Sequence, residues 1–273
     1  MSVTIDLTGR VVLVTGGGRG VGAGIVDRFL AAGAEVEICG RTEPDAASLA
    51  PGVVFRPVDV RDPEAVDGWI SDVMERRGRL DVVVNNAGGS PFGRFEDGSP
   101  RYLRAITELN FLSAAFVSRA VLEHLRASRG SLVNVTSISA RRPSPGTAVY
   151  GAAKAAMESL TQSLAAEWAP HVRVNAVSCG LVATEGAAEH YGDAATYERI
   201  AETIPRGRLA SPAEIGDACV LLASPLAGHI TGAVVPVDGG GEWPAFLVHT
   251  PDAPTVFPRH GGGRGSDHEG DQK

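Results

Sequence analysis

Tyr150 and Lys154 stand four residues apart in a strongly helical stretch of this chain. Residues i and i+4 share one helix face, with about 6 Å of axial rise between them. A phenol is a poor base at neutral pH because its reference pKa is about 10. A nearby ammonium favours the phenolate, which would let the pair exchange a proton with an alcohol or a carbonyl. The use of lysine is selective: of the 25 Lys and Arg residues, only Lys154 and Lys273 are lysines. A compact ammonium on a flexible stem is not interchangeable with a guanidinium fork. Ser137 closes an apolar run thirteen residues before Tyr150 and offers a hydroxyl to hold a substrate oxygen. Asn110 interrupts a mostly apolar helical stretch. A buried amide there needs partners, so it reads as structural, as a water-holder, or as both.

A second constellation suits a dinucleotide. Thr15 ends the first apolar run and leads into Gly16, Gly17, Gly18, Arg19, Gly20, Val21 and Gly22, with a helical pattern after them. Glycines permit a tight turn and bring backbone N–H groups close to a diphosphate, and the helix N-terminus adds partial positive charge. The spacing is Thr-Gly-x-x-x-Gly-x-Gly on Thr15, Gly16, Gly20 and Gly22. The second run ends in Gly40 and Arg41. An acid at that point would bond both adenosine ribose hydroxyls, whereas an arginine favours a 2′-phosphate. Arg41, with Arg19 in reach, therefore points to NADP(H), NAD(H) being the alternative. Asp59, ending the third run, is a candidate for the adenine edge, and Val60 after it and Asn86, Ala87 and Gly88 after the fourth run are candidates for cofactor binding.

These residues need elements to carry them. Apolar runs at 10–15, 35–39, 53–59, 80–85, 130–137, 172–178 and 233–237 read as strands buried on both faces. Helical patterns at 21–32, 63–77, 102–126, 148–168 and 212–222 alternate with them. Asp62-Pro63-Glu64 and Ser211-Pro212-Ala213-Glu214 carry helix-start signals. The alternation predicts an α/β fold of Rossmann type: one doubly wound, seven-stranded parallel sheet in a single domain over residues 1–248. Residues 184–208 form an irregular insertion after a strand end, where a substrate lid would sit. Residues 249–273, rich in Pro, Gly and polar side chains, read as a flexible tail; its histidines lack metal-ligand spacing.

Composition narrows the class. A net charge of −7 argues against nucleic acid or an anionic membrane surface as partner. No apolar stretch is expected to reach the ~18 residues of a membrane span, and residues 1–6 show no signal-peptide pattern. Three widely spaced cysteines suit a reduced, cytoplasmic protein without a zinc site or disulfide framework. Arg126, Arg129, Arg141 and Arg142 read as a solvated basic face more readily than as a dock for an acidic carrier protein.

Taken in order, Thr15-Gly-x-x-x-Gly20-x-Gly22, Asn85-Asn86-Ala87-Gly88, Asn110, Ser137 and Tyr150-x-x-x-Lys154 resemble the classical short-chain dehydrogenase/reductase family over residues 6–243. The segment 231–240 looks like the 3-oxoacyl-carrier-protein-reductase-like branch. The resemblance implies that Tyr150 is the general acid/base and that Lys154 binds the nicotinamide ribose and lowers the Tyr150 pKa. It implies that Ser137 orients the carbonyl and that Asn110 supports a water. Gly180, Val182 and Thr184 fall where the family meets the nicotinamide. Cys179 departs from the family's proline, which frees an N–H and loosens the backbone; it reads as a small pocket-lining residue. The family commonly forms homotetramers through its long helices. The expected activity is hydride transfer between NADP(H) and a ketone or secondary alcohol. The alternatives are an NAD-dependent alcohol dehydrogenase of the same family and a dinucleotide-sensing protein without turnover.

Overall fold

The structure is a computed structural model that describes residues 4–45, 49–186 and 191–249. Its strands are β1 (Val11–Thr15), β2 (Glu35–Gly40), β3 (Val54–Pro57), β4 (Val82–Asn85), β5 (Ser131–Ser137), β6 (Arg173–Cys179) and β7 (Val234–Val237). They form one sheet in the order β3-β2-β1-β4-β5-β6-β7. Every neighbouring pair is parallel. The helices are α1 (Gly20–Ala31), α2 (Pro63–Arg77), α3 (Pro100–Thr107), α4 (Ser113–Ser128), α5 (Ala148–Trp168), α6 (Ala194–Glu202) and α7 (Pro212–Ala223).

The apolar runs are continuous because both sheet faces are covered. Along β1, Val12 and Val14 join one core with Ile25 and Phe29 of α1 and Ile215 of α7. Val11 and Leu13, pointing the other way, join a second core with Trp69 of α2, Val121 of α4 and Trp168 of α5. Burying each such side chain contributes about 1.5–3 kcal/mol, so a one-residue slip would exchange two filled cores at once. Both helix-start signals are realised. The Asp62 carboxylate accepts from the Glu64 and Ala65 N–H groups, and Ser211 and Glu214 form a reciprocal capping box. The order of strand addition reverses between β1 and β4, which opens a crevice at their carboxyl ends.

Three sequence expectations need correction. β3 stops at Pro57, so Asp59 and Val60 lie in the turn beyond it. The helix expected at 102–126 is a longer helical run in three parts: α3, a π-helical turn (Glu108–Leu112) and α4. That run, residues 100–128, is also long and apolar enough by length and composition to cross a membrane, with an 18-residue window of mean hydropathy 1.3. Here it flanks the sheet, with Val117, Val121 and Leu125 buried against the second core. The tail expected at 249–273 lies outside the described residues except for His249.

Candidate active site

β5 delivers Ser137 to the carboxyl edge of the sheet, where it lies in register with Cys179 of β6. The Ser137 hydroxyl accepts the Ser139 N–H at 3.2 Å and hydrogen-bonds to the Tyr150 phenol. Tyr150, half-buried, stands in the first turn of α5, and Lys154 follows one turn later with 3% exposure. The Lys154 ammonium donates to the Val135 carbonyl at 2.9 Å and lies 5.8 Å from the centre of the Tyr150 ring.

Asn110 is fully buried in the π-helical turn. Its amide donates to the carbonyls of Gly89 (2.9 Å) and Ile106 (3.0 Å), and its oxygen accepts the Gly89 N–H at 2.8 Å. The side chain thus competes with the helix ladder while holding the loop after β4, and such local departures from α-helical bonding gather at functional sites. Gly88 sits in the notch so formed. A Cβ there would come within 2.8 Å of the Asn110 oxygen and 3.2 Å of the Lys154 ammonium. Asn110, Gly88, Lys154, Tyr150 and Ser137 are therefore brought together.

Burial governs the titration of this cluster. It pushes the Tyr150 phenol up to about 12, against the lowering effect of the Ser137 hydrogen bond. It pushes the Lys154 ammonium down to about 8, and the Cys179 thiol up to about 12 despite the nearby Lys154. The expected lowering of the Tyr150 pKa by Lys154 is thus not what the protein alone produces. Desolvation acts on both groups against their charged forms. The protonated thiol agrees with Cys179 as a pocket-lining residue.

The phosphate turn is stitched to the loop after β4. Thr15 Oγ1 accepts the N–H groups of Asn86 and Ala87, each at 3.0 Å. The Asn86 amide donates to the carbonyls of Thr15 (3.0 Å) and Gly16 (3.1 Å). Asn86 therefore braces the turn with its side chain. Gly22 must lack a side chain, since a Cβ would stand 2.1 Å from the Gly16 carbonyl oxygen. Gly18 approaches Pro44, and Gly20, Val21 and Gly22 open α1. Arg19 and Arg41 are exposed beside the turn and join no ion pair with another described residue. At Gly40 a Cβ would meet nothing closer than 3.6 Å, so the backbone there does not demand a glycine for lack of room at Cβ. The Asp59 carboxylate is taken by Arg61, whose hydrogen bonds hold it below the usual carboxylate range. Val60 is buried beside it.

Of the residues after β6, Gly180 packs tightly on Asp238 and its N–H donates to the Val237 carbonyl. Val182 forms an isolated bridge with Ala210, and Thr184 stands over Gly20. The insertion has a small core of its own, with Ala201, Ile204 and Leu209 buried under Leu181, Tyr197 and Ile200. Tyr191 from this insertion bonds the Val182 backbone and comes close enough to Tyr150 to help raise its pKa. The sequence reading passed over Tyr191, because nothing local marks it. It also passed over a polar chain beneath the site. Asn85 donates to Asn134 (2.9 Å) and Ser118 (3.1 Å), and Asn134 donates to Thr161 (2.9 Å), which ties β4, β5, α4 and α5 together. The readable signal was an asparagine in the middle of the apolar β5.

A family model described as enoyl-(acyl carrier protein) reductase matches residues 16–242. The chain belongs to the short-chain dehydrogenase/reductase family. Among members of that family, L-fucose dehydrogenase of Bos taurus is 38% identical over 251 residues, covering 89% of this chain and 93% of that protein. The 3-oxoacyl-[acyl-carrier-protein] reductase FabG of Chlamydia pneumoniae is 34% identical, covering 86% and 98%. The ligand-free aldohexose dehydrogenase of Thermoplasma acidophilum superposes with a TM-score of 0.82 at 29% identity, over 87% of this chain and 96% of that one. This short-chain dehydrogenase/reductase is accordingly an NAD(P)-dependent oxidoreductase of alcohol- and ketone-type substrates.

Proposed function

We propose that the enzyme prefers NADP(H) and interconverts a ketone and a secondary alcohol, with Tyr150 exchanging the proton on the substrate oxygen. The observation that carries this is the contact of the Tyr150 phenol with the Ser137 hydroxyl, beside the buried Lys154 ammonium, at the carboxyl edge of the sheet. A bound nicotinamide supplies or accepts the hydride. Ser137 and Tyr150 would hold the substrate oxygen between two hydroxyls. A phenol near 12 is protonated at neutral pH and so ready to donate, which suits carbonyl reduction. Lys154 lies in the wall between Tyr150 and Gly88, where an ammonium can take a ribose hydroxyl and favour the phenolate once oxidation demands it. Asn110 keeps the loop at 88–89 in place.

Arg19 and Arg41, exposed and in no ion pair with another described residue, support the preference for a 2′-phosphate beside the acid-free Gly40. For the substrate, Arg126 pairs with Glu123, Arg141 with Glu158 and Arg142 with Glu242, which leaves little unopposed positive charge for an acidic carrier protein. A free small molecule is favoured. An L-fucose dehydrogenase among the relatives and an aldohexose dehydrogenase among the structural neighbours support aldoses as candidate substrates, beside simple ketones. The insertion at 184–208 would serve as the lid. Self-association as a homotetramer, through the long flanking helices, completes the reading; sedimentation at micromolar concentration should give four chains, and a monomer would refute it.

The test of function is an absorbance screen at the nicotinamide band. NADPH and NADH are offered with ketones and a 3-oxoacyl thioester, and the oxidised cofactors with aldoses and secondary alcohols. Turnover with NADPH exceeding that with NADH is expected for at least one pair. Binding of dinucleotide without turnover of any member would make the chain a sensor and overturn the enzymatic reading.

A further inference from the structure

The start of α1 is capped from far away. Its N-cap residue Arg19 makes no capping bond with its side chain, and its first turn holds no acidic residue. α2, α3, α6 and α7 each begin with a local side-chain cap, from Asp62, Ser99, Asp193 and Ser211, whereas α5 also begins without one. An uncapped start suits a helix whose N–H groups are kept for an anion. In this structure the Glu185 carboxylate, 165 residues downstream, accepts the Gly20 N–H at 3.2 Å. Thr184 stands beside the same glycine. The arm that brings Glu185 there is short and anchored: Ala183 donates to the Ala210 carbonyl at 2.8 Å and Ala210 donates to the Leu181 carbonyl at 2.9 Å. Glu185 itself is exposed, and at the following Gly186 even an added Cβ would meet only open space.

We propose that Glu185 is a built-in stand-in for the cofactor diphosphate, an internal anion that caps α1 and must leave when a dinucleotide binds. The inference rests on the reading of the Gly16–Gly22 turn as the dinucleotide site. Two anions of the same sign cannot share the N–H groups of one helix start, so each dinucleotide that binds displaces the carboxylate. A single charge at a helix start is expected to be worth about a twofold to fivefold change in affinity. The displaced arm carries Thr184, so cofactor arrival and the position of residues 184–185 are coupled through one side chain.

The test is a fluorescence titration of the full chain and of Glu185→Gln and Glu185→Ala with NADPH. A parallel titration uses adenosine 2′-monophosphate, which has the ribose phosphate but no diphosphate. Both variants are expected to bind NADPH about twofold to fivefold more tightly than the unaltered chain, with adenosine 2′-monophosphate unchanged. Unchanged or weaker NADPH binding in the variants, with the unaltered chain binding normally, overturns the stand-in role alone. A gain of equal size for adenosine 2′-monophosphate overturns it too, because the effect would then be one of general charge. Absence of NADPH and NADH binding in all three proteins would instead remove the dinucleotide site itself, and the inference with it.

Discussion

Replacing Lys154 by methionine separates what burial costs this enzyme from what the lysine does for it. Burial holds the ammonium down at about 8 from its ordinary 10.5. At about 1.4 kcal/mol per pH unit, keeping it charged in the folded protein costs about 3 kcal/mol at neutral pH. The folded pKa lies below the unfolded one, so the unfolded chain binds more protons between about pH 8 and 10.5. The contribution of this group to stability therefore rises with pH through that window. Methionine fills similar space without charge but leaves the Val135 carbonyl without the Lys154 donor, at a cost of about 1–3 kcal/mol. Lys154→Met is thus expected to be as stable as the parent at pH 7, or more stable by up to about 2 kcal/mol. By pH 9.5 its relative advantage should shrink by about 2 kcal/mol. Urea unfolding of both proteins at pH 7 and 9.5 reads this. The comparison cancels the buried Cys39 and Cys219, whose raised pKa values make both proteins lose stability as pH climbs above 9. Turnover should fall together with the gain in stability, by about 100-fold or more. A stability difference that stays flat with pH, or a variant more than about 2 kcal/mol weaker at pH 7, would refute the reasoning.

Arg41→Ala should weaken NADPH by about tenfold and NADH hardly at all, as the loss of one charge-assisted bond to a phosphate requires; equal losses would remove the 2′-phosphate argument. Gly40→Asp should shift preference toward NADH, because the nearest atoms to an added Cβ are at ordinary contact distance; an unchanged ratio of the two KM values would count against it. Asn110→Ala strips the Gly89 N–H and carbonyl of their partner, and a loss of about 2–4 kcal/mol in urea unfolding is expected. A loss under about 1 kcal/mol would mean that the loop finds other partners.

The sheet was readable in advance because every strand between two helical layers must be apolar on both faces, and runs such as Val11–Thr15 leave no other reading. The caps at Asp62 and Ser211 were readable because they are local. Ser137, Tyr150 and Lys154 could be placed together because the carboxyl ends of parallel strands share one edge. What could not be read depends on distant partners. The π-helical turn holds Asn110, whose partner Gly89 lies twenty-one residues away. The sign of the Tyr150 shift follows from how completely the folded chain shields the phenol, which spacing does not encode. Asp59 reads as a candidate for the adenine edge, and its pairing with Arg61, two residues on, shows only once the chain turns after Pro57. The α1 cap was invisible because its two ends lie at Gly20 and Glu185.

The account turns on one oxygen, and Tyr150→Phe removes it while leaving the ring, the helix and Lys154 in place. NADPH-dependent turnover should fall by about 10²–10⁴-fold, with NADPH bound as tightly as by the parent. A variant that keeps more than about a tenth of parental turnover would show that another group moves the proton, and the mechanism built on Tyr150 would fail.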